Sequence, residues 1–197
     1  MGNNKNSFIA LVGMAGAGKS VVADELISKG YRFFRFGQIT MDIIKEKGLE
    51  VNESNERAIR ERVRKEHGMG AYAILNIPRI LSFLEEGNVV GDGLYSWTEY
   101  KILKEKFGDR MFVIAVYAPP TLRYERLSAR KQLSDDKDIR NRQMTPEQAK
   151  SRDFAEIENI EKAGPIAMAD FTLVNTGSME DVIHQLNSAL NKINNKP

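Results

Sequence analysis

One stretch near the start of the chain, Gly13-Met14-Ala15-Gly16-Ala17-Gly18-Lys19-Ser20, constrains the fold more than any other. It satisfies G-x-x-x-x-G-K-[ST] directly after the apolar run Phe8-Ile9-Ala10-Leu11-Val12. From average residue frequencies, a chain of this length meets that pattern by chance about once in a hundred sequences or less. The context narrows the reading further. A continuous apolar run marks a strand buried on both faces of a parallel sheet. Val22, Ala23, Leu26 and Ile27 then fall at helical spacing, followed by Lys29 and Gly30 as last-turn cation and terminating glycine. A strand that enters a glycine-rich turn and opens a helix points backbone N–H groups inward, so Gly13, Ala15, Gly16, Ala17 and Gly18 are expected to cradle phosphates. Lys19 is expected to reach the β- and γ-phosphates, and the Ser20 hydroxyl to take a position on Mg²⁺.

The 197-residue chain has room for one full-sized domain with small insertions, at 42% hydrophobic and 28% charged residues. With no cysteine, a disulfide framework and a cysteine zinc site are both excluded. The start, Met1-Gly2-Asn3-Asn4-Lys5-Asn6, is polar, and no apolar run is long enough to span a bilayer, so a cytoplasmic protein is expected. The 29 basic residues are matched by 27 acidic ones, which gives no reason to expect nucleic acid as a partner. His67 and His184 are isolated and expected near the surface, without a metal.

In chain order, strands and helices alternate. Residues 31–36 read as a short aromatic strand ended by Gly37. Residues 38–86 carry no strand signal but three helices: one through Ile39, Ile43 and Ile44 closed by Gly48, a charged one over 52–67 closed by Gly68, and one over 71–84 interrupted by Pro78. Strands follow at 88–93 and 111–117 with a helix at about 99–107 between them. A helix then opens at Pro119-Pro120 and runs to about Arg130, and residues 131–146 are polar, without an apolar face, which predicts a mobile loop. A helix over 147–162, the strand Phe171-Thr172-Leu173-Val174 and a helix over 179–193 close the chain. The expected fold is α/β, a five-stranded parallel sheet between helices, with a helical insertion after the second strand and a polar lid after the fourth. Ligands in such sheets bind outside the C-terminal strand ends, so both insertions should border the phosphate site.

Two further positions carry chemistry. Asp92 ends an apolar strand beside the phosphate loop, where a carboxylate can orient Mg²⁺; a turn role is the alternative. Arg123, Arg126 and Arg130 fall on one face of the helix after Pro120, and Arg140, Arg142 and Arg152 follow; guanidinium groups suit the charge of a transferring phosphoryl group. A solvated helix with Glu125 and Asp153 as partners would look the same.

The ordered set GMAGAGKS, FGQI, VVGDGLYS, APPTLRYERLSAR, SDD, SRD and ADFTLVNTGS resembles a group of P-loop kinase-like proteins, best represented in archaea and related to adenylate kinase and dephospho-CoA kinase. The resemblance covers nearly the whole chain. It implies a P-loop NTPase three-layer fold of nucleoside monophosphate kinase type, ATP as donor and a small acceptor. The core would take about residues 1–36, 87–130 and 152–197, with an acceptor-binding helical insertion at about 37–86 and a lid at about 131–151. Lys19, Asp92, Arg126, Arg130 and Arg152 are the candidate catalytic residues, and the resemblance implies Asn175 and Gly177 beside the adenine ring. The chain departs from the group at Gln38 and Met41, at Tyr95, and at Gln132 and Ala155; apart from Gln38, where relatives carry an acid, these are positions where relatives carry arginine. Arg57, Arg60, Arg64 and Arg79 could supply replacement contacts.

Gln38 cannot act as a base toward a hydroxyl acceptor, which leaves Asp42 and Asp92 for that task and favours a phosphate acceptor, a nucleoside monophosphate. Transfer to a hydroxyl, as in dephospho-CoA kinase, and an ATP-binding switch with little transfer activity are the alternatives.

Overall fold

The run Phe8–Val12 forms strand β1, and every one of its side chains is buried. Because successive residues point to opposite faces, Phe8, Ala10 and Val12 enter one core while Ile9 and Leu11 enter a second. The computed structural model describes residues 6–130 and 143–195. In it, β1 is joined by β2 (Arg32–Arg35), β3 (Val89–Asp92), β4 (Met111–Tyr117) and β5 (Phe171–Val174) in the order β2-β3-β1-β4-β5, with every pair parallel. The strand β4 repeats the pattern of β1: Met111, Val113 and Ala115 line the first core, and Phe112, Ile114 and Val116 the second.

Helices cover both faces. The second core is closed by α1 (Lys19–Ser28) through Val22, Ala23 and Leu26, and by α9 (Met179–Asn194) through Val182, Leu186, Leu190 and Ile193. On the other face lie α2 (Gln38–Glu46), α3 (Glu53–His67), α4 (Ala71–Glu86) and α5 (Trp97–Phe107), which contribute Ile44, Ile59, Val63, Tyr72, Ile80, Leu84, Leu103 and Phe107. The first three stand in sequence between β2 and β3, so the expected helical insertion is present as three helices. The remaining elements are α6 (Pro120–Ser128), α7 (Pro146–Ile160) and a short α8 (Ala163–Ala167). No helix among the described residues is long and apolar enough to cross a membrane.

Three local expectations need correction. Pro78 does not interrupt its helix: α4 runs through it to Glu86. Tyr72, Ala73, Asn76, Ile80 and Leu84 are buried on both sides of the proline, and that packing outweighs a cost of about 3 kcal/mol for the lost hydrogen bond and the ring clash. The helix expected over 147–162 breaks at Glu161, which adopts the left-handed conformation at φ 54°, and the chain restarts as α8. The helix after Pro120 stops at Ser128, so Arg130 leaves the face that holds Arg126. The expected mobile loop lies mostly at 131–142, outside the described residues. Its two ends are tied: Met144 N donates to Leu127 O at 3.3 Å, and Ser128 Oγ donates to Met144 O at 3.1 Å.

At the sheet edge, Gln185 of α9 turns its amide onto β5. Its Oε1 accepts from Val174 N at 2.8 Å and its Nε2 donates to Val174 O at 3.0 Å.

Gly91 in β3 has a packing reason. A methyl group there would stand 2.7 Å from the Phe34 ring and 3.0 Å from that of Phe36, inside an aromatic group with Phe8. We expect Gly91→Ala to cost about 1–3 kcal/mol through overpacking, lowering the melting temperature by several degrees in a thermal scan; an unchanged melting temperature would show that the ring cluster yields.

Candidate functional site

The loop between β1 and α1 is held by close packing. Gly13, Gly16 and Gly18 have φ of 139°, 79° and 100°, conformations that side chains rarely adopt. A Cβ at Gly13 would strike the Val116 carbonyl, one at Gly16 would stand 2.7 Å from Arg123 O, and one at Gly18 would strike Asn175 Nδ2. Gly18 is the N-cap of α1 and supplies no side chain to the helix's first N–H groups, which leaves the helix terminus suited to an anion. Lys19 folds back over the loop, its Nζ donating to Gly13 O at 2.9 Å and Met14 O at 3.3 Å. Burial lowers the Lys19 ammonium pKa, and the Asp92 carboxylate opposes that shift.

Asp92 reaches the loop through register. Strand β3 pairs with β1 so that Asp92 lies opposite Leu11, and Gly93 N donates to Leu11 O at 3.2 Å. Its Oδ1 is buried and has no hydrogen-bond partner, an orphaned acceptor beside the lysine. Ser20, also at the start of α1, is exposed. No cluster of three or more His, Asp or Glu side chains among the described residues could hold a metal alone. A divalent ion here would depend on phosphate oxygens with Ser20 and Asp92 as protein partners, and the orphaned Oδ1 fits that demand.

The arginines separate into two kinds. Arg123 is buried and committed: it donates to Ala118 O and to Ala15 O, both at 3.0 Å, and forms a two-pronged pair with Asp153 at 3.1 and 2.5 Å. It is a strut of the loop, the role the sequence reading had left to a partnered helix. Arg126 donates through Nη2 to Asn175 Oδ1 at 3.2 Å, while its Nη1 is buried and unpartnered. Arg130 and Arg152 lie near enough to Lys19 to depress its pKa further, and Arg152 Nε donates to Glu156 Oε1 at 2.9 Å.

Asn175 turns its side chain toward the loop, donating from Nδ2 to Ala17 O at 2.8 Å. Gly177 sits against Asp181, the carboxylate that completes the capping turn of α9. Gln132 falls outside the described residues, and Ala155 is exposed on α7.

At the end of β2 a second, polar cleft of about 290 Å³ is lined by Arg35, Gln38, Asp42, Arg79 and three phenylalanines. Gln38 Nε2 donates to Asp42 Oδ1 at 3.1 Å, and Arg79 pairs with the other oxygen at 3.5 Å. Arg64 lies 5.5 Å above the Tyr72 ring, whose hydroxyl meets Thr40 Oγ1 at 2.6 Å.

Comparison with known proteins places the chain in a family and a fold. The family model described as "AAA domain" matches residues 9–149. A UPF0200 protein of Thermococcus gammatolerans is 32% identical over 187 residues, 94% of this chain and 94% of its own length. The chain belongs to the AAA domain family and to the UPF0200 proteins. A UPF0200/UPF0201 protein of Archaeoglobus fulgidus is 34% identical over 186 residues, and there the chain spans 55% of the relative's length. Among solved structures, a gluconokinase of Sinorhizobium meliloti superposes with a TM-score of 0.59 at 13% identity, covering 96% of this chain and 93% of its own. A shikimate kinase of Bacteroides thetaiotaomicron gives 0.56 at 13%, covering 94% and 97%. The fold is that of a P-loop kinase, a five-stranded α/β P-loop NTPase.

Several residues at the site carried no local signal in the sequence. Glu156 bridges Arg152 and Lys162, and Lys162 lies over Tyr95 at 4.7 Å. Glu99 is fully buried and accepts from Tyr95 N at 3.2 Å and Ser96 N at 3.1 Å, fixing the loop that follows Asp92. The Ser-x-x-Glu spacing of its capping box is visible in the sequence, but the burial is not. Burial pushes the Glu99 carboxyl up to about 7, against the two backbone N–H groups that favour the anion. The folded protein therefore keeps a proton that the unfolded chain releases between about pH 4.5 and 7. Stability should fall as pH rises through that window, by at most about 1.4 kcal/mol per pH unit. Denaturant midpoints measured at pH 5 and pH 8 should show this loss in the wild type and a flatter profile in Glu99→Gln.

Proposed function

We propose that this chain is an ATP-dependent phosphotransferase that moves the γ-phosphoryl group of ATP onto a phosphate-bearing small acceptor, with a nucleoside monophosphate as the first class to test. The observation that carries this reading is the apposition of Lys19 and the unpartnered Asp92 Oδ1 at the C-terminal edge of β1 and β3. The kinase fold shared with the gluconokinase and the shikimate kinase supports it. In this reading the loop N–H groups and Lys19 hold the β- and γ-phosphates, Ser20 and Asp92 hold Mg²⁺, and Arg126, Arg130 and Arg152 face the group in transit. When bound, the ion neutralises triphosphate charge.

The acceptor would enter from the cleft at the end of β2, where Arg35 and Arg79 offer cationic contacts to a phosphate. An acceptor phosphate oxygen is already an anion, so it attacks the γ-phosphorus without a base. The bond to the bridging oxygen of ADP breaks as the new bond forms. A hydroxyl acceptor is the second reading, favoured by the free acceptor oxygen of Asp92, which could take the hydroxyl proton.

The test is incubation with ATP and Mg²⁺ against a panel of nucleoside monophosphates and dephospho-CoA, with products identified by mass. We expect a phosphorylated monophosphate in equal amount to ADP. In Lys19→Ala, kcat should drop about 10²- to 10³-fold with the fold intact, since burial of this ammonium is itself unfavourable. ADP formed without any phosphorylated acceptor would instead identify a nucleotide-binding switch.

A further inference from the structure

Lys162 is an unusual lysine. It is 2% exposed, yet it belongs to neither of the apolar cores and was expected only as the last residue of a helix. The break at Glu161 delivers it. Glu161 is the only non-glycine among the described residues with positive φ, at φ 54° and ψ 38°, and the turn it makes lets Lys162 N donate back to Glu156 O at 3.2 Å. A left-handed backbone at such a residue carries strain that surrounding contacts must hold.

The side chain is drawn toward the phosphate loop. Its Nζ donates to Glu156 Oε2 at 2.5 Å and stands 4.7 Å from the centre of the Tyr95 ring. That ring lies close to Asp92, whose carboxylate adds to burial in pushing the Tyr95 hydroxyl up to about 12. Glu156 is shared, because its other oxygen accepts from Arg152. Of the three N–H donors on an ammonium, Lys162 has thus placed one on half of a carboxylate. Lys19 and Arg152 both act on it as like charges.

The Tyr95 ring under the Lys162 ammonium packs against Gly93, the residue after Asp92, so Lys162 stands beside the loop that carries Asp92, with the Lys19 ammonium near enough to act on it as a like charge. An anion placed between the two ammonium groups turns the repulsion into attraction. A purely structural ion pair joining α7 to α8 would need Glu156 alone and gains nothing from Lys19 across the site. We propose that Lys162 is a second phosphate-binding lysine of this site, donating from its ammonium to a non-bridging oxygen of the γ-phosphoryl group opposite Lys19, with Glu156 as its positioning partner. The assignment rests on the nucleotide reading above. During transfer Lys162 stays protonated: the bond from the γ-phosphorus to the bridging oxygen breaks, the bond to the acceptor oxygen forms, and the lysine proton remains on nitrogen.

The groups facing Lys162 are Glu156 and Arg152 of α7, Lys19 of α1 and Tyr95 of the segment before α5. Burial, opposed by Glu156 and reinforced by Lys19 and Arg152, brings its ammonium down to about 8. In the free protein its contribution should therefore be present below pH 8 and fade above it.

The test is calorimetric titration of the full chain with Mg²⁺ and either ADP or AMP-PNP, an analogue that keeps the γ-phosphoryl group. Lys162→Met should weaken AMP-PNP about tenfold or more and leave ADP within about twofold, the size of one charge-assisted contact. Lys162→Arg should keep AMP-PNP affinity and remove the wild-type loss of affinity between pH 7 and 9. Because Lys162→Met leaves Glu156 with Arg152 as its remaining cation, the double variant Glu156→Gln with Lys162→Met removes the uncompensated charge and should show the same selective loss. Unchanged AMP-PNP affinity in the methionine variants, or equal losses for both nucleotides, would overturn the assignment. A wild type that binds AMP-PNP but phosphorylates no acceptor sinks the phosphotransfer reading, with the role of Lys162 still decided by the titrations; a wild type that binds neither nucleotide overturns both.

Discussion

The guanidinium of Arg123 is the contact on which the site's geometry turns. Buried with Asp153, it spends its remaining donors on the carbonyls of Ala15 and Ala118, and so joins the phosphate loop, the end of β4 and helix α7 in one fixture. The Tyr124 hydroxyl adds a third donor to Asp153 at 3.0 Å. A buried ion pair is not strongly stabilising in itself, but removal of one partner strands the other in low dielectric. The consequence is conformational: the loop after β1 cannot take its shape unless α6 and α7, far along the chain, are in place. Asn175 repeats the logic from β5, holding Ala17 and closing the space above Gly18.

That dependence explains what could be read from the sequence and what could not. The strands β1 and β4 were legible to the residue because each is a continuous apolar run, almost wholly buried in the sheet, and β5 because its short β-rich run is bounded by polar residues on both sides. The turn formed by Gly13, Gly16 and Gly18, with Lys19 and Ser20 opening α1, was legible because the spacing sets a glycine-rich turn between a strand and a helix, and the place of Asp92 because it ends a strand. Pro78 misled because propensity is local while the burial around it is not. Arg123 looked like its neighbour Arg126, since both sit on a basic helix; only contact with Asp153, thirty residues away, divides a strut from a residue with a free donor. Lys162 gave no pattern, because its pairing with Glu156 and its place over Tyr95 exist only after the break at Glu161 has formed.

The positions at which the chain departs from the resembling group have local packing of their own. Met41 packs against the main core, so the residue there is part of the hydrophobic support of α2. Tyr95 is covered by Lys162, which places a cation over an aromatic ring near Asp92. Asp42, bound by both Gln38 and Arg79, lines the cleft as a partnered carboxylate.

The amide of Gln185 has a consequence at the opposite edge of the sheet. An open strand edge offers its unpaired N–H and C=O groups as a template for another chain. By supplying one acceptor and one donor to the same residue of β5, Gln185 imitates the partner strand that Val174 lacks. A single side chain from α9 thereby acts as a one-residue sixth strand, and the sheet is ended at Val174 by hydrogen bonds from its own last helix, so that a neighbouring molecule finds that residue's backbone already paired.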